Sequence, residues 1–407
     1  MRQVSPLQEP SPSEATTLPH ALLYATSAGL GGSGLDSTSL EGVLASWRRA
    51  FLQKVLCYAN RQQEILPEYV RSLQFHPVRL LSALGSKDYY AAKKRWLDLL
   101  SARELRRGEY DFFHGWSGES FRTLVEAKLC GIPSVLDVPT WHRNKGVAKP
   151  NETKSEREAR LADRGWRDWR RHLHAPRLQH LTEYELATLL FMPSRKSAET
   201  FRAADIPESK LHYVGRGVDI TRYRAAEERP DVFRVVFVGA LIKRKGVHLL
   251  LEAWKKLGLA NAELLLVGSV HDEMRPALRE FASSSVKVLG FTSSVQNELR
   301  RSSVFAFPSE CEGFAKSTLE AAACGLPLIA TQESGDAIVD GETGILIRPR
   351  HLDSLADALK LAAAHPEKLA AMGRNARSLV ERQFTWDHYR GRVLEGYAKA
   401  VLRAKSE

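Results

Sequence analysis

Two glutamates, Glu312 and Glu320, stand eight positions apart in the segment Ser309–Pro327, SECEGFAKSTLEAAACGLP. The residues just before them, VFAFPS, are typical of a buried strand, and Gly313 allows the chain to turn sharply after it. Lys316–Cys324 has the pattern of a helix, which the following glycine and proline end. Glu312 is therefore predicted to lie in the loop before a helix, and Glu320 about one turn inside that helix.

The start of this helix is a place where an anion can bind. We expect the backbone N–H groups of Ala315, Lys316 and Ser317 to point out of the helix, where they and the helix dipole can hold a phosphate. A carboxylate on either side can accept hydrogen bonds from the hydroxyls of a bound sugar nucleotide. The alternative is that the two acids only stabilise the helix N-terminus, by about 0.3–1 kcal/mol each.

The composition is that of a soluble protein with room for two domains. The chain has 407 residues, of which 43% are hydrophobic and 26% are charged, and these values argue against general disorder. Residues 1–19 are rich in Pro, Ser and Glu, which predicts a loose tail. The sequence shows no apolar run long enough for a signal peptide or a membrane span, so we expect a cytoplasmic protein.

The charge of the chain favours anionic partners. Lys and Arg number 59 against 48 Asp and Glu, which gives a net charge of +11. This excess suits nucleotide phosphates, acidic polymers or an anionic membrane face. Nucleic acid is not expected, because no zinc-finger, RNP or helix-turn-helix signature is present. The four cysteines form no CxxC pair, which predicts buried thiols in a reducing compartment and no metal site.

Short apolar runs alternate with longer helical patterns along the chain, which predicts βαβ units around parallel sheets. The second half shows about six such strands, from FRVVFVGAL to TGILIRP. Open parallel sheets bind ligands beyond the carboxyl ends of their strands, so we expect the loops of both domains to line a cleft. The predicted parts are the tail (1–19), a first Rossmann-like domain (20–218), a linker (219–230), a second Rossmann-like domain (231–384) and a C-terminal helix (385–407).

Several motifs resemble, in the same order, those of one enzyme family. The glutamate pair is followed by ESGDAIVDGETGILIRP and preceded by VVFVGALIKRKGVHLLLEAW. Together they resemble the C-terminal half of the retaining GT-B glycosyltransferases of glycosyltransferase family 4. The segment Val214–Tyr223, VGRGVDITRY, is similar to the linker motif of that family. The resemblance implies an α/β GT-B fold, with two Rossmann-like domains facing across a cleft and a C-terminal helix that crosses back to the N-terminal domain.

The resemblance also implies roles for the residues that match the family motifs. Glu320 matches the glutamate that bonds the ribose hydroxyls of the donor, and Glu312 matches the one beside the transferred sugar. Lys245 matches the lysine that neutralises the diphosphate as the glycosidic bond breaks. The predicted catalytic set is Glu312, Lys245 and His142. The predicted donor-binding residues are Gly239, Lys243, Arg244, Lys245, Gly290, Phe291, Glu312, Gly313, Phe314, Ala315, Lys316, Ser317 and Glu320.

Two residues depart from the family pattern. Ala240 stands where the family commonly has an arginine, so one phosphate contact is missing or is supplied by Lys243 or Arg244. The usual EGFG is EGFA in this chain, which places the methyl group of Ala315 near the sugar and can alter the choice of donor.

The first half offers three candidate features. Gly31, Gly32 and Ser33 lie in the loop GLGGSGLD after the first strand, which is either a phosphate or acceptor loop or a plain flexible loop. His114 is predicted to close a strand. His142 follows LDVPTW and is displaced from the position where the family often places a histidine. Either histidine can bond a sugar hydroxyl or serve only as a structural residue.

The segment Arg164–His174, RGWRDWRRHLH, interleaves tryptophans with arginines at near-helical spacing. This segment can lie on an anionic membrane, and the protein would then be peripheral at the inner membrane face. It can instead bind an acidic acceptor. The alternative is a solvated amphipathic helix that packs its tryptophans on the domain.

The resemblance therefore predicts a retaining, metal-independent transferase that needs no cofactor. It would move a sugar from a UDP-, GDP- or ADP-linked donor to a hydroxyl acceptor, which is a glycan, a lipid-linked sugar or a small molecule. The alternatives are a UDP-sugar epimerase of the same shape and a non-catalytic relative that binds sugar nucleotides. A dehydrogenase is not expected, because no GxGxxG follows the first strand with an acid at the usual distance.

Overall fold

The computed structural model describes residues 18–74, 76–78, 86–142, 177–226 and 231–406. These residues form two compact units. The first unit contains the described residues up to Met192, together with Ala198–Val214 and the residues from Tyr389 onward. The second unit contains Pro193–Ser197 and Gly215–His388. Each unit is a parallel sheet with flanking helices, which confirms the predicted α/β class.

The first unit is built on a seven-stranded sheet. The strands of this sheet are β1 (Leu22–Ala25), β3 (Leu52–Cys57), β5 (Val70–Ser72), β6 (Phe112–Trp116), β7 (Ser134–Asp137), β8 (Leu189–Met192) and β9 (Leu211–Tyr213). Two short strands, β2 (Gly29–Leu30) and β4 (Ala59–Asn60), pair with each other in a separate sheet. The helices along this part of the chain are α1 (Leu35–Trp47), α2 (Ser86–Arg107), α3 (Phe121–Leu129), α4 (Arg177–Leu186) and α5 (Arg195–Arg202). The strand order is β5-β3-β1-β6-β7-β8-β9, with every neighbouring pair parallel.

The second unit is built on a six-stranded sheet in the order β12-β11-β10-β13-β14-β15. The strands are β10 (Phe233–Val238), β11 (Ala262–Val267), β12 (Val286–Gly290), β13 (Val304–Phe307), β14 (Leu328–Ala330) and β15 (Gly344–Leu346). The remaining helices are α6 (Val247–Leu257), α7 (Arg275–Glu280), α8 (Val295–Arg300), α9 (Lys316–Ala323), α10 (Leu352–Ala364), α11 (Pro366–Gln383) and α12 (Trp386–Ser406). All six strands lie in the apolar runs that the sequence indicated.

The last helix packs on the first unit from Tyr389 onward, as the predicted fold class requires. The ring of Tyr397 is fully buried and lies 5.2 Å from the ring of Phe112 in β6. Arg390 forms an ion pair with Glu41 of α1. The last helix therefore contributes side chains to the core of the first unit.

The first unit contains elements that the sequence pattern did not reveal. Three strands of its sheet, β3, β5 and β9, and the helix α1 were not predicted. β3 has the sequence LQKVLC, in which an exposed Gln53 interrupts the apolar run. The face of α1 that packs inward carries Thr38, Ser39 and Ser46, so burial and hydrophobicity do not coincide along this helix.

The second unit has a more regular core. Every residue of β13 and β14 is buried, as expected for central strands of a parallel sheet covered on both faces. The rings of Phe237 and Phe307 stack at 5.2 Å with an angle of 7° between their planes. This packing fixes the carboxyl end of β13, where the candidate site begins.

Candidate active site

The candidate site lies at the carboxyl edge of the sheet in the second unit. Gly239 follows β10 and Gly268 follows β11, both with positive φ. A Cβ atom at Gly268 would overlap the carbonyl oxygen of Gly239, so the two loops can approach each other only because that side chain is absent. The loops after these central strands therefore form a tight floor at the edge where parallel sheets usually bind ligands.

A short turn brings Arg244 and Lys245 to this edge. Lys243–Lys245 forms one 3-10 turn, which ends at Gly246 in the left-handed conformation with φ of 71°. A Cβ atom at Gly246 would overlap the carbonyl oxygen of Pro308. The backbone N–H of Glu310 donates to the carbonyl of Arg244 at 2.9 Å. The turn is thus held against the loop that follows β13.

Glu312 is the centre of this cluster. Its Oε1 atom lies 2.8 Å from Nη1 of Arg244 and 3.9 Å from Nζ of Lys245. The hydroxyl of Ser309 donates to the same oxygen at 3.4 Å. The backbone N–H of Glu312 donates to the carbonyl of Glu333 at 3.1 Å, which fixes the loop from its other side. Glu312, Arg244 and Lys245 therefore lie together at this edge, and their roles toward a donor stay predictions.

Lys245 is partly enclosed within the cluster. Its Nζ lies 5.2 Å from the centre of the Phe307 ring, and it would be 3.0 Å from a Cβ atom at Gly239. Burial lowers the pKa of Lys245, while the neighbouring Glu312 carboxylate opposes this change. A buried ammonium beside a carboxylate and an aromatic face gains strongly from an additional anion, because little water competes for it.

The start of α9 differs in one respect from the expectation. The backbone N–H of Ala315 donates to the carbonyl of Ser334 at 2.8 Å. The prediction that this N–H is available to a phosphate is therefore wrong, because the loop after β14 already occupies it. The side chain of Lys316 lies with Nζ 5.2 Å from the Trp386 ring. Ser317, in the first turn, keeps an N–H that can point at a ligand.

Glu320 lies inside α9, as predicted, and Tyr223 is its partner. Burial raises the pKa of the Tyr223 hydroxyl, as does Glu320, whose carboxylate accepts a hydrogen bond from it. Tyr223 is the aromatic residue that ends VGRGVDITRY, so the linker motif supplies a side chain that orients the second glutamate. The sequence singled out this motif but gave Tyr223 no role.

Other predicted donor residues lie at or near the same edge. The Phe314 ring packs against the Phe384 ring at 5.9 Å and lies beside Gly335. Gly290 is the last residue of β12, and the side chain of Phe291 after it is 81% exposed. The backbone N–H of Lys243 donates to the carboxylate of Glu273 at 3.0 Å.

His114 does not occupy a ligand site. It is the third residue of β6, not its end, and its ring is completely buried. Its Nδ1 lies 2.7 Å from the hydroxyl of Tyr397. Burial lowers the pKa of His114 to about 3, so the ring is neutral at ordinary pH. The structural alternative therefore holds for His114, and a bond to an acceptor or sugar hydroxyl is wrong, because the run FFHGW places this histidine in the core.

His142 also lies in the core of the first unit. Its ring lies 5.3 Å from Tyr184 and 4.9 Å from Phe201, and the residue is 5% exposed. Its backbone N–H donates to the hydroxyl of Thr200 at 2.9 Å. We therefore treat His142 as a packing residue and leave it out of the proposed catalytic set.

The glycine loop of the first unit lies where the sequence placed it. Gly31, Gly32 and the exposed Ser33 connect β2 to α1, and both glycines have positive φ. The backbone N–H of Gly29 donates to the carboxylate of Asp36 at 3.0 Å, which closes the loop onto the first turn of α1. The role of this loop in binding phosphate or acceptor stays a prediction.

A buried carboxylate that the sequence did not single out lies near the carboxyl edge of the sheet in the first unit. Glu119 follows β6 and accepts hydrogen bonds from the backbone N–H of Ser27 at 2.6 Å and from its hydroxyl at 2.5 Å. Nζ of Lys94 lies 3.5 Å from the same carboxylate. The signal was available, because Glu119 comes directly after a strand of a parallel sheet.

The segment Arg164–His174 lies outside the described residues. Within the described part of the chain, none of the helices is both long and apolar enough to span a membrane. In the same part, His, Cys, Asp and Glu side chains form no cluster of three that could hold a metal ion.

The chain is similar to known glycosyltransferases. The family model described as Glycosyl transferases group 1 matches residues 232–365. D-inositol 3-phosphate glycosyltransferase of Rhodococcus jostii is 30% identical over 51% of this chain and 52% of its own length. The corresponding protein of Gordonia bronchialis is 40% identical over 25% of this chain and 22% of its own. The chain thus spans about half or less of the length of these curated relatives. MMP alpha-(1->4)-mannosyltransferase of Mycolicibacterium hassiacum is 26% identical over 75% of both chains.

Solved structures extend the likeness to nearly the whole chain. HepE of Anabaena in complex with UDP-glucose aligns with a TM-score of 0.65 at 18% identity, over 92% of this chain and 98% of that chain. Sucrose-phosphate synthase of Thermosynechococcus elongatus aligns with a TM-score of 0.67 at 17% identity, over 93% and 98%. These likenesses show the α/β GT-B fold, and the family match lies in the unit that carries Lys245, Glu312 and Glu320.

Proposed function

We propose that this protein is a retaining glycosyltransferase of family 4, which moves a sugar from a nucleoside-diphosphate sugar to a hydroxyl acceptor without a metal ion. The observation that carries the proposal is the arrangement of Arg244, Lys245 and Glu312 beside the start of α9. Two cations and a helix N-terminus gathered at one sheet edge suit a diphosphate, and the carboxylate among them suits a sugar hydroxyl.

The donor would be held by the second unit. Glu320, held by Tyr223, would accept hydrogen bonds from the ribose hydroxyls. Lys245 and Arg244 would contact the diphosphate, where they supply the positive charge that other transferases take from a metal ion. Glu312 would accept a hydrogen bond from the transferred sugar. Because Arg244 already pairs with Glu312, the ligand would enter a preformed charge network and not a disordered one.

The proposed reaction uses this placement of charge. The bond between the anomeric carbon and the β-phosphate oxygen breaks, and negative charge grows on that oxygen beside Lys245. The acceptor hydroxyl attacks the anomeric carbon from the same face, and its proton passes to the departing diphosphate oxygen. The products are the glycosylated acceptor and the nucleoside diphosphate. No separate general base is needed, which agrees with the packing positions of His114 and His142.

The comparisons favour a transferase over the alternatives. The curated relatives named above transfer mannose or act on inositol phosphate by name, and HepE binds UDP and UDP-glucose. These names do not support a UDP-sugar epimerase or a non-catalytic protein that binds sugar nucleotides. We therefore propose UDP as the first nucleotide to test, with GDP and ADP as competitors.

The first test is thermal unfolding with UDP, GDP and ADP at matched concentrations. A bound nucleotide at 100 times its Kd stabilises the fold by about 2.7 kcal/mol, so one of the three should raise Tm. Glu320→Gln should weaken this effect, whereas Glu367→Gln, an exposed residue of α11, should not. The anomeric configuration of the product by NMR tests retention, and assays in EDTA test metal independence. If none of the nucleotides binds, or if an acceptor gives no nucleotide release, the proposal is wrong.

A further inference from the structure

The first unit contains a groove between α2 and α3 that the donor site does not use. One cavity of about 310 Å³ begins at Gly118 and Glu119, directly after β6. A second cavity of about 510 Å³ lies further along the two helices. Leu99, Phe121 and Arg122 line both cavities. We call these two adjacent cavities together the α2–α3 groove.

The negative groups of the groove are already satisfied. Asp98 accepts hydrogen bonds from the backbone N–H groups of Arg122 at 2.9 Å and Thr123 at 3.0 Å. Glu183 accepts from the backbone N–H groups of Gly118 at 2.6 Å and Ser120 at 3.0 Å. Both carboxylates therefore bind the start of α3, whose dipole favours negative charge there. Among the described residues, neither carboxylate forms an ion pair with an arginine of the groove.

The positive groups are largely unmatched. Glu126 pairs with Arg106, and Glu119 pairs with Lys94. The guanidinium groups of four further arginines that line the groove have no carboxylate partner among the described residues. These are Arg95, Arg103, Arg107 and Arg122.

The cations and the apolar side chains follow one stripe along α2. Arg95, Leu99, Arg103 and Arg107 are spaced by four residues and so lie on one face of the helix. From the first to the last of them, the stripe runs about 18 Å at 1.5 Å per residue. Leu99 is 41% exposed, and Phe121 and Val125 of α3 are half-buried beside it. The groove thus alternates apolar surface with guanidinium groups over a length greater than that of one monosaccharide.

We infer that the α2–α3 groove binds an anionic glycan, and that this glycan is the growing acceptor. The inference rests on the proposed function and specifies its acceptor. The repeated arginines match carboxylate or phosphate groups at intervals along a chain, and the apolar side chains match the faces of sugar rings. The groove begins at the carboxyl end of β6, where parallel sheets bind their ligands, and leads away from it. An anionic membrane surface would not require a groove that begins at this edge.

The experiment compares two matched probes by isothermal titration calorimetry. The probes are a homogeneous oligogalacturonate and a neutral maltooligosaccharide of the same length. We expect the protein to bind the oligogalacturonate and not the neutral chain. The variant Arg103→Gln/Arg107→Gln/Arg122→Gln should bind it at least about tenfold more weakly, since three charge-assisted contacts are lost. Salt should weaken binding by the unchanged protein more than binding by this variant.

The control removes the same charge elsewhere. Arg279, Arg301 and Arg374 are exposed residues of the second unit, and Arg279→Gln/Arg301→Gln/Arg374→Gln should bind the oligogalacturonate within about twofold of the unchanged protein, because long-range charge is screened. Vesicles of phosphatidylglycerol, with phosphatidylcholine as the neutral partner, form a third arm. The inference is overturned if the groove variant binds oligogalacturonate like the unchanged protein, if the neutral chain binds equally well, or if only the vesicles bind.

A UDP titration separates this inference from the proposed function. The groove variant should bind UDP like the unchanged protein, because its substitutions lie in the first unit. If no nucleoside diphosphate binds while oligogalacturonate binding still depends on the three arginines, the proposed function fails and the groove remains a glycan site. If UDP binds and oligogalacturonate does not, the groove assignment fails and the donor site stands.

Discussion

The two units place charge differently at the carboxyl edges of similar sheets. In the second unit Glu312 lies 2.8 Å from Arg244 and 3.9 Å from Lys245, so the acid and the bases form one compact cluster. In the first unit Asp98 and Glu183 accept backbone N–H groups at the start of α3, whereas Arg95, Arg103 and Arg107 of α2 have no carboxylate partner among the described residues. The same layered architecture thus produces a compact cluster of two cations and one carboxylate in one unit and an extended row of arginines in the other.

This difference matches the shapes of two substrates. In a compact cluster the carboxylate holds the cations in position before a small anion binds. The cations can then contact that anion with little rearrangement. An extended row of unmatched guanidinium groups attracts a long anion and imposes little order on it. The fold fixes where the edges lie, and the placement of carboxylates decides what each edge can bind.

The largest difference between the two units should come from removing the Lys245 side chain from the cluster of the second unit. Lys245→Ala should lower nucleotide release about 10²–10³-fold, because the substitution removes a preorganised cation from the developing charge. Lys256→Ala, which breaks an exposed pair with Asp353 at 2.7 Å, should change the rate little, since surface pairs contribute about 0–1 kcal/mol. Steady-state kinetics with the donor whose nucleotide binds would measure both. Unchanged turnover in Lys245→Ala would show that the cluster is only structural.

The second prediction concerns the backbone that holds the cluster together. Gly246→Ala should destabilise the second unit by about 3 kcal/mol, from the left-handed conformation and the overlap with Pro308. Gly258→Ala is the matched control at the other end of α6, because Gly258 is also left-handed but faces open space. It should cost about 1–2 kcal/mol. Urea unfolding measures both, and equal losses would contradict the close approach of the turn to Pro308.

The regularity of the second unit explains why its fold could be predicted from the sequence. VFAF and LIA are uninterrupted apolar runs, as buried parallel strands require, and every one of the six strands was found. In the first unit, α1 buries Thr38 and Ser39, so hydrophobicity no longer reports burial. Its strand β3 includes an exposed glutamine. Patterns fail where polar side chains are buried or apolar runs are interrupted.

The site was predictable only in part. Glu312 and Glu320 were placed correctly around a helix start, because strand, glycine and helix signals are local. The meeting of Lys245 with Glu312 depends on the approach of Gly246 to Pro308, which no local signal encodes, and the family resemblance supplied it. The occupied N–H of Ala315 was missed, since its acceptor Ser334 belongs to a separate loop.

The third prediction is that the stability of the two units depends differently on pH. Burial lowers the pKa of His114 to about 3 and that of His212 to about 4, and both lie in the first unit. Below their ordinary pKa of 6.5 the unfolded chain binds protons that these two histidines do not bind in the folded unit, so they lower its stability as pH falls. Burial raises the pKa of Asp98 in the same unit to about 6, and this opposes part of the loss below that pH. The loss should be about 1.4 kcal/mol per pH unit for each histidine between pH 6.5 and about 4.

Hydrogen exchange can follow the two units separately. After correction for intrinsic rates, peptides of β6 should lose protection between pH 6.5 and 5 more than peptides of β10. His212→Gln should reduce the dependence by one histidine, and His20→Gln, at an exposed position, should leave it unchanged. Equal loss in both units would mean that these two histidines do not set the difference.

The smallest expected effect concerns Tyr223, which joins the linker motif to the site. Tyr223→Phe removes the hydroxyl that bonds Glu320 and keeps the ring, so the cost should be about 1 kcal/mol, or about fivefold in the Kd of the nucleotide. Tyr69→Phe in the first unit is the control, because the Tyr69 ring packs against Trp47 at 5.0 Å. If Tyr223→Phe lowers the free energy of unfolding but leaves the Kd unchanged, then Glu320 is not held for the ribose. In that case the donor site of the second unit would include Glu312 and not Glu320.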